Sequence, residues 1–305
     1  MSRGPRVSIV MPFFNAERFM AEAIESVRAQ SYPHWVLYTV DDGSADGSTT
    51  LAREYARRDP DRIRYVEHPG HANRGVSASR NAGLRQADGA YVAFLDADDV
   101  YHPDKLRDQV VLLEARPDAG TVYGSTLEWY SWTGQPEDVA RDVVPALGVA
   151  AGRIYPAGQL VPAMLQRRVS APSMSSTLVR RSMIEQAGGF EDAFTGMYED
   201  QVWHLKLFLA APVYVGDGRW DQYRRHAASC YSVAKRTGEW VAARRMFLEW
   251  AERYLTAQGV TDRAVWRALR EELQPYRSPV RARASRAARR LLALLRTRPA
   301  GTPAA

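Results

Sequence analysis

The sequence predicts an α/β fold built on a mostly parallel sheet flanked by helices, and three observations carry that prediction. Short apolar runs alternate with helical stretches through the N-terminal third of the chain. Several of these runs stop abruptly at acidic or polar turns. The last, residues 91–99 (YVAFLDADD), closes on Asp96, Asp98 and Asp99. Strands alternating with helices of this length form a sheet covered on both faces, with ligands at the carboxyl ends of the strands. Carboxylates this close repel unless a cation sits among them. Hard oxygen ligands suit Mg²⁺ or Mn²⁺ carried in by a phosphorylated substrate, the alternative being a solvated acidic cap.

Residues 7–11 (VSIVM) form the first strand and run into Pro12-Phe13-Phe14-Asn15. Residues 19–30 follow with Ala23, Ile24 and Val27 on one helical face. A second strand over 35–40 ends in Asp41-Asp42-Gly43-Ser44, and a helix over 48–57 leads to a short strand over 63–66. Asn73-Arg74-Gly75-Val76-Ser77 opens a helix carrying Arg80-Asn81, and the acidic strand comes next. Asp42, Asp96 and Asp98 therefore all fall at strand ends.

After the acidic turn, Tyr101-His102-Pro103-Asp104-Lys105 starts a helix, Pro being tolerated in a first turn. Residues 125–170 hold Trp129, Tyr130, Trp132 and a stretch rich in Pro and Gly, and they break the periodic pattern. A strand over 175–179, a short helix over 181–186, an amphipathic helix over 200–209 and a short strand over 213–215 precede Tyr223-Arg224-Arg225-His226. From Thr237 onward the chain turns helical. The expected organisation is one domain over 1–235, divided at about residue 125, followed by a helical extension over 236–305.

Of the 305 residues, 46% are hydrophobic and 25% charged, as in ordinary globular proteins. The single cysteine, Cys230, excludes an intramolecular disulfide, fits a reducing cytosol and is expected to be a buried or half-buried packing thiol. No apolar leader precedes the first strand, and no run approaches the roughly 20 residues of a membrane span. A cytoplasmic protein is expected, with peripheral attachment at the inner face of the cell membrane left open. The net charge of +6 invites a nucleic-acid partner, but Arg277, Arg281, Arg283, Arg286, Arg289, Arg290, Arg296 and Arg298 crowd the tail and leave the body near neutral. No nucleic acid is expected. Residues 280–295 (VRARASRAARRLLALL, from Val280 to Leu295) can gather alanines and leucines on one side of a helix. Such a stripe suits an anionic membrane surface or packing against a partner. Oligomeric state is left open.

The segments VSIVMPFFNAERFMAEAIESVRAQSY, VDDGSADGS, NRGVSASRNAGLRQADGAYVAFLDADD, GGFEDAF and YEDQVWHLKLFL, in this order and at these intervals, resemble the family 2 glycosyltransferases with the GT-A fold, a Rossmann-like nucleotide-diphospho-sugar transferase architecture. The likeness runs from about Val7 to His226 and thins between Ser125 and Ser170, which implies a donor half to about residue 125, an acceptor half over 126–235, and acceptor specificity set within residues 125–170. It implies transfer of a sugar from a nucleotide diphosphate donor, a UDP-sugar favoured, to a hydroxyl of a glycan or lipid-linked acceptor in surface or secreted polysaccharide synthesis. It also implies inversion at the anomeric carbon and help from Mg²⁺ or Mn²⁺.

Phe14 offers a ring face to a pyrimidine and Asp42 a carboxylate to its N3–H, where the family places similar residues; a core ring and a turn residue are the alternatives. Pro12 and Asn15 share the same strand-end loop and are expected to bind substrate. Arg80 and Asn81 face the nucleotide or diphosphate, or else cap and pack. Asp96 is expected in the ribose or metal shell and Asp98 as the direct metal ligand, while Asp99 caps the following helix. Glu199-Asp200 matches the family's E-D motif, which implies Asp200 as the base that takes the acceptor proton, with Glu199 beside it in the substrate site. Two acids also suit a helix N-terminus on dipole grounds. His226, in YRRHAAS, completes the metal shell, contacts the diphosphate or is a structural hydrogen bonder. Trp203 and Trp220 stack on a sugar or belong to the core.

Rival classes lack their motifs. No G-x-G-x-x-G follows the first strand, where PFFNAE stands, and no P-loop occurs. A sugar nucleotidyltransferase would carry a Gly-rich loop with a basic residue in that same place. A catalytically degenerate nucleotide-sugar-binding scaffold or regulator remains as the alternative, and Asp98 and Asp200 stand against it.

Overall fold

Alternation along the first strand divides the core between two faces of one sheet. In the computed structural model, which describes residues 4–278, β1 (Val7–Phe13) is buried along its whole length. Val7, Ile9, Met11 and Phe13 join the cluster that contains Met20, Ala23, Ile24 and Val27 of α1 (Glu17–Arg28). Val10 belongs to the cluster on the other face. β2 (Trp35–Asp41) divides in the same way, with Trp35 and Leu37 in the first cluster and Val36, Tyr38 and Val40 in the second. Strands buried on both faces read as unbroken apolar runs, which is why these two are legible in sequence.

The chain continues through α2 (Ser48–Arg58), β3 (Ile63–Glu67), α3 (Val76–Gln86), β4 (Tyr91–Phe94), β5 (Val100–Tyr101), α4 (Lys105–Glu114), β6 (Thr121–Trp129) and α5 (Pro136–Val139). It then forms β7 (Arg153–Tyr155), α6 (Val161–Leu165), β8 (Leu178–Arg180), α7 (Arg181–Ala187), α8 (Glu199–Ala210), β9 (Val213–Arg224), α9 (Cys230–Thr237), α10 (Trp240–Ala257) and α11 (Arg263–Arg277). Among the described residues the sheet has nine strands, ordered β3-β2-β1-β4-β8-β6-β9-β5 with β7 on β9. From β3 to β4 every pairing is parallel, as expected. Beyond β4 the sheet is mixed, with β8 antiparallel to both β4 and β6. β9 runs parallel to β6 and antiparallel to β5 and β7.

Three local expectations change, and one left open is decided. The strand expected over 175–179 begins as a 3₁₀ turn at Met174–Ser176, because the Ser173 hydroxyl accepts the Ser175 N–H and diverts the backbone from the ladder. The strand expected over 213–215 continues to Arg224. Gly216-Asp217-Gly218 reads as a turn, but register shifts opposite Tyr123 to Thr126 absorb it within the ladder. Asp99 does not cap the next helix: Val100 and Tyr101 pair with β9, so α4 starts at Lys105 with Asp104 before it, and Asp99 is fully buried. Trp203 and Trp220 are both core, Trp203 lying 4.8 Å from the Phe190 ring and nearly parallel to it.

The C-terminal helices share the core of the sheet. Phe247, Leu248, Ala251 and Leu255 of α10 and Val265, Leu269 and Leu273 of α11 belong to the same cluster as Val10 and Phe94. Residues 280–295, the expected membrane-facing stripe, lie outside the described residues. Phe247 is fully buried and stacks on Tyr198 at 5.3 Å. Its truncation in Phe247→Ala is predicted to cost about 3–5 kcal/mol in urea denaturation. A loss below about 1 kcal/mol would place α10 outside the cooperative core.

Candidate active site

The carboxyl ends of β1, β2 and β4 and the start of α8 open on one cavity of about 910 Å³. Pro12, Phe14, Asn15, Asp42, Arg80, Asp96, Asp98, Glu199, Asp200 and His226 all line it. Asn81 does not. Its side-chain amide brackets Phe190, donating to the carbonyl at 2.9 Å and accepting from the N–H at 2.8 Å, so it holds the loop after α7 rather than a nucleotide.

At the first two strand ends the backbone is shaped for a ligand. Phe14 is 52% exposed and therefore no core ring. Asn15 takes φ 49°, a conformation asparagine tolerates, and its Oδ1 accepts the Ala45 N–H at 2.8 Å. Gly43 has φ 80°, and a Cβ there would lie 2.8 Å from the His71 carbonyl and the Asn73 nitrogen, so the turn after β2 requires glycine. Asp42 is a turn residue that also lines the cavity. Its carboxylate accepts the N–H groups of Arg74 at 2.7 Å and Gly75 at 3.0 Å, and it still faces the cavity. A carboxylate has about four lone-pair positions, so capacity for a further donor remains.

The acidic turn is held from below. Ser175 Oγ accepts the Asp96 N–H at 3.1 Å and donates to Asp99 Oδ2 at 2.7 Å. Arg224 donates its backbone N–H to Asp99 Oδ1 at 3.1 Å and its Nε to the Asp98 carbonyl at 2.7 Å, while its guanidinium pairs with Glu22 at 2.6 Å. Phe19 and Trp129 pack their rings against that guanidinium, 4.8 and 4.5 Å from its central carbon. Burial, with Asp98 and Asp96 nearby, pushes the Asp99 carboxyl well above the usual range. Beneath it, burial also pushes Asp221 up to about 7 and Lys105 down to about 7, the two charges facing each other.

Two donors in this turn can hold a cation. His226 Nε2 lies 2.9 Å from Asp98 Oδ2. Two adjacent ligands of an octahedral Mg²⁺, with bonds of about 2.1 Å, sit about 3 Å apart, so the spacing fits. No cluster of three or more His, Cys, Asp or Glu suited to a metal occurs among the described residues. Any such ion would complete its shell with water and substrate phosphate, as Mg²⁺ commonly does.

Across the cavity, α8 begins at Tyr198, which takes φ 67° with its ring buried against Phe247. This left-handed backbone costs on the order of 1–3 kcal/mol and is sustained by that packing. It presents Glu199 and Asp200 together. Arg80, only 2% exposed, joins the two sides: its guanidinium donates to Asp96 Oδ1 at 2.7 Å and lies 3.4 Å from Glu199 Oε1. Its fork is thus engaged with carboxylates rather than presented free to a phosphate. Burial of the Asp200 carboxyl, with Glu199 beside it, raises its pKa to about 7.

Arg18, Arg167, Tyr198, Tyr223, Tyr231 and Lys235 also line the cavity with no role read from sequence, although Arg18, Tyr198 and Tyr223 lie inside the quoted motif segments. Cys230 also lines the cavity and is exposed, contrary to the packing role expected of it. From residues 125–170, where acceptor specificity was expected, only Arg167 reaches the cavity.

A parallel β3-β2-β1-β4 sheet whose strand ends meet an acidic turn, with a second acidic pair facing it, is the GT-A architecture. The profile described as Glycosyl transferase family 2 matches residues 8–186, and the chain belongs to that family. EpsE of Bacillus subtilis (strain 168), provisionally named a glycosyltransferase, is 42% identical over 114 residues, covering 37% of this chain and 40% of its own length. TuaG of the same organism, provisionally named a teichuronic acid biosynthesis glycosyltransferase, is 38% identical over 125 residues, 40% of this chain and 48% of its own. The chain thus spans less than half of either relative. Among solved structures, S. aureus TarS 1-349 in complex with UDP aligns with a TM-score of 0.60 and 19% identity over 91% of this chain and 73% of that one. The mannosyltransferase PcManGT from Pyrobaculum calidifontis, in complex with GDP-Man and Mn²⁺, aligns at 0.58 and 20% over 95% and 81%. These likenesses establish a shared fold.

Asp200 is half-buried at the cavity wall, and the desolvation of its carboxyl has a thermodynamic consequence. Its folded pKa of about 7 lies above the ordinary 3.8, so its contribution to stability is intact below about pH 4 and lost as pH rises through 7. Asp200→Asn stays neutral. It is predicted to melt a few degrees above wild type at pH 8 and no higher at pH 4 in scanning calorimetry. Equal melting temperatures at pH 8 would contradict the burial of an ionised carboxylate.

Proposed function

We propose that the protein moves a sugar from a nucleotide diphosphate donor, a UDP-sugar favoured, to a hydroxyl of a glycan or lipid-linked acceptor, by direct displacement with inversion. The observation that carries this reading is the opposition, within one cavity, of the Asp98–His226 pair and an Asp200 whose pKa is about 7. In this reading Phe14 stacks on the base, and Asp42 accepts its ring N–H while organizing the loop that closes around it. Asp98 and His226 hold Mg²⁺ or Mn²⁺, which when bound neutralises charge on the departing diphosphate. Arg80 keeps Asp96 and Glu199 in place across the sugar site.

Asp200 takes the acceptor proton. An acceptor hydroxyl must lose its proton as the new bond forms, and a base serves best when its pKa lies near the working pH. Burial supplies that pKa here, and Glu199 reinforces it. A role in surface or secreted polysaccharide synthesis draws support from the name of TuaG, which states teichuronic acid biosynthesis. Among the described residues no helix is long and apolar enough to cross a membrane.

A donor screen tests the reading. UDP-, GDP- and dTDP-sugars are offered with Mn²⁺ or Mg²⁺, binding is read by thermal shift, and turnover by release of the nucleotide diphosphate. One donor class is expected to bind and turn over, with Asp98→Asn losing about a hundredfold or more of the metal-dependent rate. Donor binding with no turnover on any acceptor would favour a degenerate scaffold. Unchanged metal dependence in Asp98→Asn would remove Asp98 as the ligand.

A further inference from the structure

The base can be approached from a second opening. A groove of about 390 Å³ runs between residues 193–197 and helices α9 and α10, and it shares Gly196, Met197, Ala228 and Cys230 with the main cavity. Most of its side chains are apolar, namely those of Phe194, Met197, Val233, Ala234, Ala243 and Met246, with Thr195 and Cys230 among them and Glu239 as the only charged lining residue. Large apolar side chains stand exposed at the same corner: Trp240 at 38%, Val241 at 46% and Met246 at 41%. Soluble glycans present hydroxyls that such a wall cannot satisfy, whereas an apolar cleft opening from an exposed apolar patch suits a hydrocarbon.

Charge is matched at the junction. α9 turns Val233 and Ala234 toward the groove, and Tyr231 and Lys235 toward the main cavity. Lys235 is exposed and makes no ion pair with another described residue. A chain lying in the groove would therefore bring an attached anionic group to an available ammonium, close to the cavity that Asp200 lines.

We infer that this groove takes the hydrocarbon chain of a lipid-phosphate-linked acceptor, with Lys235 meeting the phosphate and the sugar hydroxyl delivered toward Asp200. This rests on the transferase reading above and narrows its acceptor to the lipid-linked class. Exposed hydrophobics on α10 thereby gain a role, as the entry by which the chain leaves its membrane.

The test is calorimetric binding of decyl phosphate to the full chain, below its micelle concentration, with ethyl phosphate as the chainless control and UDP and GDP measured in parallel. Decyl phosphate is expected to bind at least about tenfold more tightly than ethyl phosphate. Ala243→Trp, which fills the groove, and Met246→Glu, which places a carboxylate on an exposed side chain at its mouth, are each expected to weaken decyl phosphate by about tenfold. Nucleotide affinity and melting temperature should not change. If Ala243→Trp fails to fold, Met246→Glu decides alone. Equal binding of the two phosphates, or full decyl phosphate affinity in Met246→Glu, overturns the groove assignment and leaves the transferase reading standing. Chain-dependent binding without affinity for either nucleotide would instead count against the transferase reading.

Discussion

Crowded negative charge is the constraint on which the rest of the structure depends. Asp96, Asp98 and Asp99 occupy one turn, and Glu199 and Asp200 face them across the cavity. Such a group would repel in a low-dielectric site without partners. Four of the five carboxylates have partners: Arg80 shared by Asp96 and Glu199, His226 for Asp98, Ser175 and the Arg224 backbone for Asp99. Asp200 has little beyond the Gln201 N–H at 2.7 Å, and it is the carboxyl whose proton is held up to near neutrality. The group best placed for proton transfer is thus the one the fold leaves least compensated.

Positioning comes from elements distant in sequence. Arg224, at the end of β9, grips the Asp98 carbonyl and the Asp99 side chain, and His226 follows two residues later. The same strand therefore fixes the acidic turn and supplies its imidazole. On the opposite side, the left-handed Tyr198 that aims α8 leans on Phe247 of α10. The C-terminal helices support the cavity wall that bears Glu199 and Asp200 and bury their own apolar faces in doing so.

The first half of the molecule was readable because its strands are buried on both faces and its helices are amphipathic, so Val7, Ile9 and Met11 or Trp35 and Leu37 announce themselves. Ten of the eleven expected site residues meet in one cavity because all but Arg80, which lies within α3, stand at or just beyond a strand or helix end. What could not be read is long-range. Nothing in RRH distinguishes an arginine that clamps a turn from one that is solvated, and Arg80 beside Asn81 gives no sign that one lines the cavity while the other ties a loop. β9 was cut short in sequence because two glycines and an aspartate carry turn chemistry that the neighbouring strand overrides. Asp99 looked like a helix cap because the two-residue strand after it is visible only once β9 is in place.

In the proposed reaction the sugar is displaced directly, with Asp200 on the face opposite the leaving diphosphate. The anomeric configuration of the first product formed from an α-linked donor, read by proton NMR before any mutarotation or secondary hydrolysis, tests it most directly. A β-linked product is predicted. An α-linked product would require attack from the leaving-group side or a covalent intermediate, and would contradict the assignment of Asp200 as the base.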